Sequence, residues 1–144
     1  MLMYKKISLF FAFAVLLLAS CTMVKGGSKR TVMVTIEPLR YFVEAIAGNR
    51  FDVKTMVPIG GNPETYEPTA QQMIELSHSD LYVKVGSIGF EQTWMKRLKA
   101  NAPHTIIVDS SEGIEPIEST DGVPDPHTWM SCKNAAIIAQ NIYK

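Results

Sequence analysis

Hydrophobic residues in this chain alternate between strand-like runs and helical repeats. Four β-branched or apolar runs predict strands, which we place at residues 31–36, 51–57, 81–85 and 105–108. Between these runs apolar residues recur every three or four positions, which predicts helices beginning near Pro38, Thr69 and Phe90. Strands that alternate with helices in this way are typical of a parallel sheet. We therefore expect an α/β fold, a four-stranded parallel sheet with helices on both faces.

The alternation stops after the fourth strand. Residues 110–128 are rich in Pro, Gly, Asp and Glu and predict a long loop. A helical repeat begins again at Ser131, with Ile138 and Ile142 on its apolar side, and the sequence ends within it at Lys144. We interpret residues 31–130 as one α/β lobe and residues 131–144 as the start of a longer helix, and we expect that helix to be truncated.

The first 20 residues have a different pattern. Lys5 and Lys6 precede an unbroken run of 11 apolar residues at 9–19. A membrane-spanning helix needs about 20 such residues, so the run favours a signal peptide at 1–20. The cleavage region at 18–21 reads Leu-Ala-Ser-Cys and resembles a bacterial lipoprotein box. Cys21 would then carry the lipid anchor, and the small and basic residues of 21–30 would form a flexible tether.

Composition narrows the possible classes of protein. Hydrophobic residues make up 47% of the chain, which excludes a disordered polypeptide. The 14 basic residues balance the 14 acidic ones, and this balance excludes a generally basic nucleic-acid binder. Apart from Cys21 the chain has one cysteine, Cys132, so we expect no internal disulfide.

Two loops place a proline directly before a residue that can bind a metal. Glu64 follows Pro63 after the second strand, and His127 follows Pro126 beyond the fourth. Proline restricts the backbone and so helps to aim the next side chain. Both loops are expected at the carboxyl edge of the sheet, where ligands bind. One carboxylate and one imidazole are only half of a typical zinc coordination sphere, so solvated surface groups remain an alternative.

Several motifs in this order resemble one known family. They are GGNPETYEPT at 60–69, Val85-Gly86, Gly89-Phe90-Glu91, SSEGI at 110–114 and DPHTW at 125–129. Together, behind a lipoprotein box, they resemble the zinc/manganese-type substrate-binding lipoproteins of bacterial ABC transporters. The resemblance runs from about Val32 to the end of the chain.

The resemblance implies a two-lobed protein in which a long helix joins the lobes and a metal lies between them. Each lobe supplies two ligands, and the first-lobe ligands fall on Glu64 and His127. The implied cargo is a divalent metal, zinc or manganese, and the implied partners are an ABC permease and, through Cys21, the membrane. It further implies an exported, lipid-anchored protein facing the periplasm or exterior, a monomer that is not an enzyme and binds no nucleic acid.

This sequence departs from the family pattern at three points. Glu64 stands where the family usually has histidine, and an oxygen donor favours a harder ion or weaker zinc binding. The loop before Asp125 has no histidine-rich tract. The second lobe, with its two ligands, does not follow within this sequence.

Other functions and residues are considered beside this interpretation. A truncated remnant with weak metal binding is one alternative, and a surface adhesin is another. A metal-dependent hydrolase using Glu64 or Glu67 as base is a third, although no HExxH helix or nucleophile elbow supports it. His78 and His104 are expected at the surface, and Glu91 in the first turn of a helix. Tyr66 and Trp129 are expected either to wall the crevice or to pack beneath the loops.

Overall fold

The computed structural model describes residues 29–118 and 124–144. The signal peptide expected at 1–20, Cys21 and most of the tether at 21–30 lie outside the described residues. In chain order the elements are β1 (Arg30–Val34), α1 (Glu37–Ala47), β2 (Phe51–Thr55), α2 (Ala70–Ser77), β3 (Leu81–Lys84), α3 (Gly89–Asn101), β4 (Ile106–Asp109), β5 (Ile117–Glu118), β6 (Pro124–Asp125), a 3-10 helix (Thr128–Met130) and α4 (Cys132–Tyr143).

The first four strands form one parallel sheet in the order β2-β1-β3-β4. This arrangement confirms the predicted sheet. The chain leaves β1 toward one edge and later continues from β3 toward the other, so successive connections diverge between these two central strands. Crevices at such a divergence, at the carboxyl ends of the strands, are the usual ligand sites of open parallel sheets.

Helices cover both faces of the sheet, as predicted. On one face, an apolar cleft is lined by Val43 of α1, Ile142 of α4 and Val83 of β3. The preceding residue, Tyr82, lies on the other face beside Leu98 of α3. Neighbouring residues of a strand point to opposite faces, and α1 packs against α4 while α2 packs against α3. The core therefore has two apolar layers, one on each side of the sheet.

Local signals explain where α2 and α1 begin and end. The Thr69 hydroxyl accepts a hydrogen bond from the Gln72 amide at 3.2 Å, and the Gln72 side chain accepts from the Thr69 amide at 2.9 Å. This capping box starts α2 at the position predicted from Thr69. Gly48, with φ of +60°, ends α1 by donating to the carbonyl of Glu44.

Two short strands and the start of a 3-10 helix lie within the segment predicted as a long loop. Ile117 and Asp125 pair in a short antiparallel ladder between β5 and β6, and a 3-10 helix begins at Thr128. Strands of two residues are too short to produce a hydrophobic alternation, so the prediction of a loop was wrong here. Helix α4 begins at Cys132, one residue after Ser131. None of the helices in the two described ranges is long and apolar enough to cross a membrane.

Candidate metal site

His127 is held by the side chain of Asp125. The Asp125 Oδ1 atom accepts from the His127 backbone N–H at 2.9 Å and lies 2.7 Å from Nδ1 of the ring. A carboxylate can only accept, so Nδ1 carries the proton of this bond, and Nε2 has the lone pair when the ring is neutral. The backbone bond, and then the ring bond, lower the pKa of Asp125. In the neutral ring this contact favours the tautomer that leaves Nε2 for a metal.

His127 opens onto a crevice of about 310 Å³. Its walls come from the start of α1, the loop after β2, and Trp129, and they include Pro63. The Trp129 ring lies 5.2 Å from the His127 ring, centroid to centroid, and packs against the core. The crevice thus joins the two loops that the sequence singled out.

Glu64 lies in a tight turn that begins at Asn62. The Asn62 side chain accepts from the Glu64 amide at 2.9 Å, and the Asn62 carbonyl accepts from the Tyr66 amide at 2.9 Å. The exposed carboxylate then reaches α3, where its Oε2 accepts from the Gly89 amide at 2.9 Å. Proline and an Asx-type turn fix the backbone, and the helix start fixes the side chain.

Glycine at position 89 is required by this contact. A Cβ atom there would lie 2.5 Å from Oε2 of Glu64 and 2.9 Å from its backbone carbonyl oxygen. Next to it, the Phe90 amide donates to the Pro63 carbonyl at 2.9 Å. The first two amides of α3 therefore dock the loop that carries Glu64.

His127 and Pro63, the residue that precedes Glu64, line the same crevice, while Glu64 itself does not line it. Across residues 29–118 and 124–144, no three His, Cys, Asp or Glu side chains gather closely enough to hold a metal ion. The assignment of Glu64 and His127 as two ligands therefore stays a prediction. Their chemistry suits a divalent transition metal, with nitrogen from one loop and oxygen from the other.

Glu91 is the residue whose environment the sequence did not reveal. It lies in the first turn of α3 as expected, yet only 3% of it is exposed. Its Oε1 accepts from the Thr35 hydroxyl at 2.6 Å and the Val85 amide at 2.7 Å, and its Oε2 accepts from the Gly86 amide at 2.7 Å. Burial raises the pKa of Glu91, while these hydrogen bonds oppose the rise. Its position directly after the apolar residue Phe90 was the one available signal.

The remaining candidates have structural roles or lie at the surface. His78 and His104 are exposed, which confirms the prediction for both. Glu67 is also exposed. Tyr66 packs beneath its loop, because its hydroxyl donates to Gln72 and its ring lies 6.1 Å from that of Phe90.

The parallel sheet with helices on both faces defines the class as an open α/β fold, with a crevice beside His127. Comparison with known proteins then gives the family. Residues 32–144 match the family model described as "ZnuA: Zinc-uptake complex component A periplasmic". The chain belongs to this family, as the sequence motifs predicted.

Curated relatives carry names of metal transport. The chain is 33% identical over 145 residues to the manganese ABC transporter substrate-binding lipoprotein PsaA of Streptococcus mitis, covering 91% of this chain and 47% of that protein. It is 34% identical over 158 residues to the iron ABC transporter substrate-binding lipoprotein MtsA of Streptococcus pyogenes serotype M6, covering 99% and 51% respectively. The chain thus spans about half the length of these relatives.

Solved structures confirm the α/β fold. A crystal structure of ZnuA matches with a TM-score of 0.74 and 39% identity, over 79% of this chain and 44% of that one. The Cd-bound periplasmic metal binding protein from candidatus liberibacter asiaticus matches with a TM-score of 0.71 and 32% identity, over 79% and 43%.

Proposed function

We propose that this chain captures a divalent transition metal for an ABC importer, with His127 and Glu64 as two of the ligands. Membership of the family supports the class of cargo. The observation that carries the site is the hydrogen bond from Nδ1 of His127 to Asp125, because a metal-binding histidine almost always gives its other nitrogen to such an acceptor.

A carboxylate from Glu64 with an imidazole from His127 favours a harder metal ion than two imidazoles would. A carboxylate oxygen suits manganese or iron(II) better than a second imidazole does, whereas zinc accepts both. Relatives named for manganese and for iron are consistent with this preference. Two donors leave the coordination sphere incomplete, so water or other protein groups supply the rest.

The proposed role requires binding and release, and no catalytic step. The partner is an ABC permease that accepts the metal, as the names of the relatives indicate for those proteins. The chain is exported and held at the membrane by a lipid on Cys21, a residue outside the described part of the chain. The relatives are themselves named lipoproteins.

Isothermal titration of the full chain in detergent micelles with Mn²⁺ and with Zn²⁺ tests this proposal. We expect His127→Ala and Glu64→Ala each to weaken Mn²⁺ binding by roughly tenfold or more, about 1.4 kcal/mol. Exposed residues of the same types provide matched controls, and His104→Ala and Glu67→Ala should leave the affinity unchanged. Equal affinity in the wild type and both site variants would show that the site is wrongly assigned.

A further inference from the structure

The buried carboxylate of Glu91 joins the ends of two central strands. Thr35 follows β1, and Val85 and Gly86 follow β3, and all three donate hydrogen bonds to this one carboxylate. The Thr35 hydroxyl has a single proton, which Glu91 receives, so the Tyr82 hydroxyl at 2.8 Å donates to Thr35 in turn. The network fixes the backbone where the chain turns from β3 toward α3.

That turn leads directly to the amides that dock the Glu64 loop. Gly86 is held at its N–H by Glu91, and Gly89 donates to Glu64 only three residues later. Ile88 lies between them with 1% of its surface exposed, and its carbonyl accepts from the Glu91 amide at 3.0 Å. The segment is therefore clamped at both ends by the same residue, through its side chain and its backbone.

We propose that Glu91 is a positioning residue, which fixes the 85–89 turn so that the Gly89 amide orients the Glu64 carboxylate. The inference rests on the proposed function for its effect on metal binding. The orientation of Glu64 is a property of the metal-free protein, so that part of the inference does not depend on the proposed function.

The carboxylate is required because two backbone N–H groups need acceptors on its two oxygens. Glutamine has almost the same shape, but its amide nitrogen cannot accept a hydrogen bond. In Glu91→Gln one of the Val85 and Gly86 amides faces another donor, and a buried N–H without an acceptor is costly. The turn then shifts, and the Gly89 amide moves with it.

Amide hydrogen exchange in the metal-free full chain, followed by NMR in detergent micelles, tests the positioning directly. In Glu91→Gln we expect the Gly89 and Phe90 amides to exchange about fivefold faster relative to the Val34 amide, as for one weakened hydrogen bond. Val34 is the fully buried last residue of β1, a central strand of the sheet, and reports overall stability. Glu44→Gln makes the same chemical change on the exposed surface of α1 and should leave this ratio unchanged. Equal acceleration of Gly89 and Val34 would overturn the proposal.

Titration with Mn²⁺ adds a readout at the ligand itself. We expect Glu91→Gln to weaken Mn²⁺ binding by roughly threefold to tenfold in the wild-type background, and to have no further effect in Glu64→Ala. The same loss in both backgrounds would overturn action through Glu64. If Glu64→Ala alone leaves Mn²⁺ affinity unchanged, the proposed function fails, and the exchange ratio still decides whether Glu91 positions Gly89.

A milder pair of variants keeps the test open if Glu91→Gln does not fold. Thr35→Val removes the hydroxyl donor to Glu91 and keeps the branched shape, whereas Thr35→Ser keeps the hydroxyl. We expect faster Gly89 exchange relative to Val34 with valine only. The same ratio in both variants would contradict the proposed coupling.

Discussion

Replacing Gly89 by alanine should loosen the Glu64 loop while leaving the fold intact. The new Cβ would lie 2.9 Å from the Glu64 carbonyl oxygen and 2.5 Å from Oε2, so the loop must move away from α3. The movement weakens two hydrogen bonds, from Gly89 to Glu64 and from Phe90 to Pro63, each worth about 1 kcal/mol. Alanine in a helix offsets up to about 1 kcal/mol of this loss. The expected decrease in the free energy of unfolding is therefore only about 1 kcal/mol.

Gly89→Ala should affect Mn²⁺ affinity more strongly than it affects stability, relative to the size of each. A misdirected Glu64 carboxylate is expected to weaken Mn²⁺ binding by roughly tenfold, which corresponds to about 1.4 kcal/mol. Urea unfolding and Mn²⁺ titration of the same preparation measure the two effects. Thr93→Ala is the matched control, because Thr93 is an exposed residue near the start of α3 whose side chain makes no hydrogen bond to the 85–89 turn. Wild-type affinity in Gly89→Ala would refute the role of the docked loop.

Three further predictions concern stability, each checked by denaturant unfolding. Thr69→Ala removes the capping box of α2 and should cost about 1 kcal/mol; an unchanged midpoint would contradict this. Leu39→Ala, at a fully buried site, should cost about 3 kcal/mol or more, and exposed Ile74→Ala is its control. Burial raises the pKa of Asp109, but hydrogen bonds from Lys84 and Ser111 outweigh it and lower the pKa overall. Its stabilisation should therefore be present above pH 3.8 and be lost as the pH falls further. Asp109→Asn should lack this dependence, and equal acid sensitivity in both proteins would contradict it.

The sheet could be predicted because its signals are local. Buried parallel strands require short β-branched runs, and Thr69 and Gly48 mark helix boundaries through their own backbone chemistry. The β5–β6 pair could not be predicted, since each strand has only two residues. Its existence depends on contacts between segments that carry no periodic pattern.

The candidate site was predictable in its residue types but not in its arrangement. The prolines before Glu64 and His127 predicted that both side chains are oriented by their loops, and the family motifs predicted that they bind the same metal. Nothing local shows that a glycine amide 25 residues later holds Glu64. The burial of Glu91 likewise depends on two hydrogen-bond donors that the sequence does not mark. Thr35 lies far from Glu91 along the chain, and the Val85 donor is a backbone amide with no sequence signal of its own.

The hydrogen bond between Asp125 and His127 leaves the imidazole with one nitrogen, Nε2, as a possible metal ligand. A free histidine side chain divides its population between two neutral forms, and either nitrogen can meet an ion. Here Nδ1 donates to Asp125, so while this bond is made the ring has one nitrogen left for an ion. An ion bound by this ring therefore takes Nε2, while Asp125 keeps the other nitrogen.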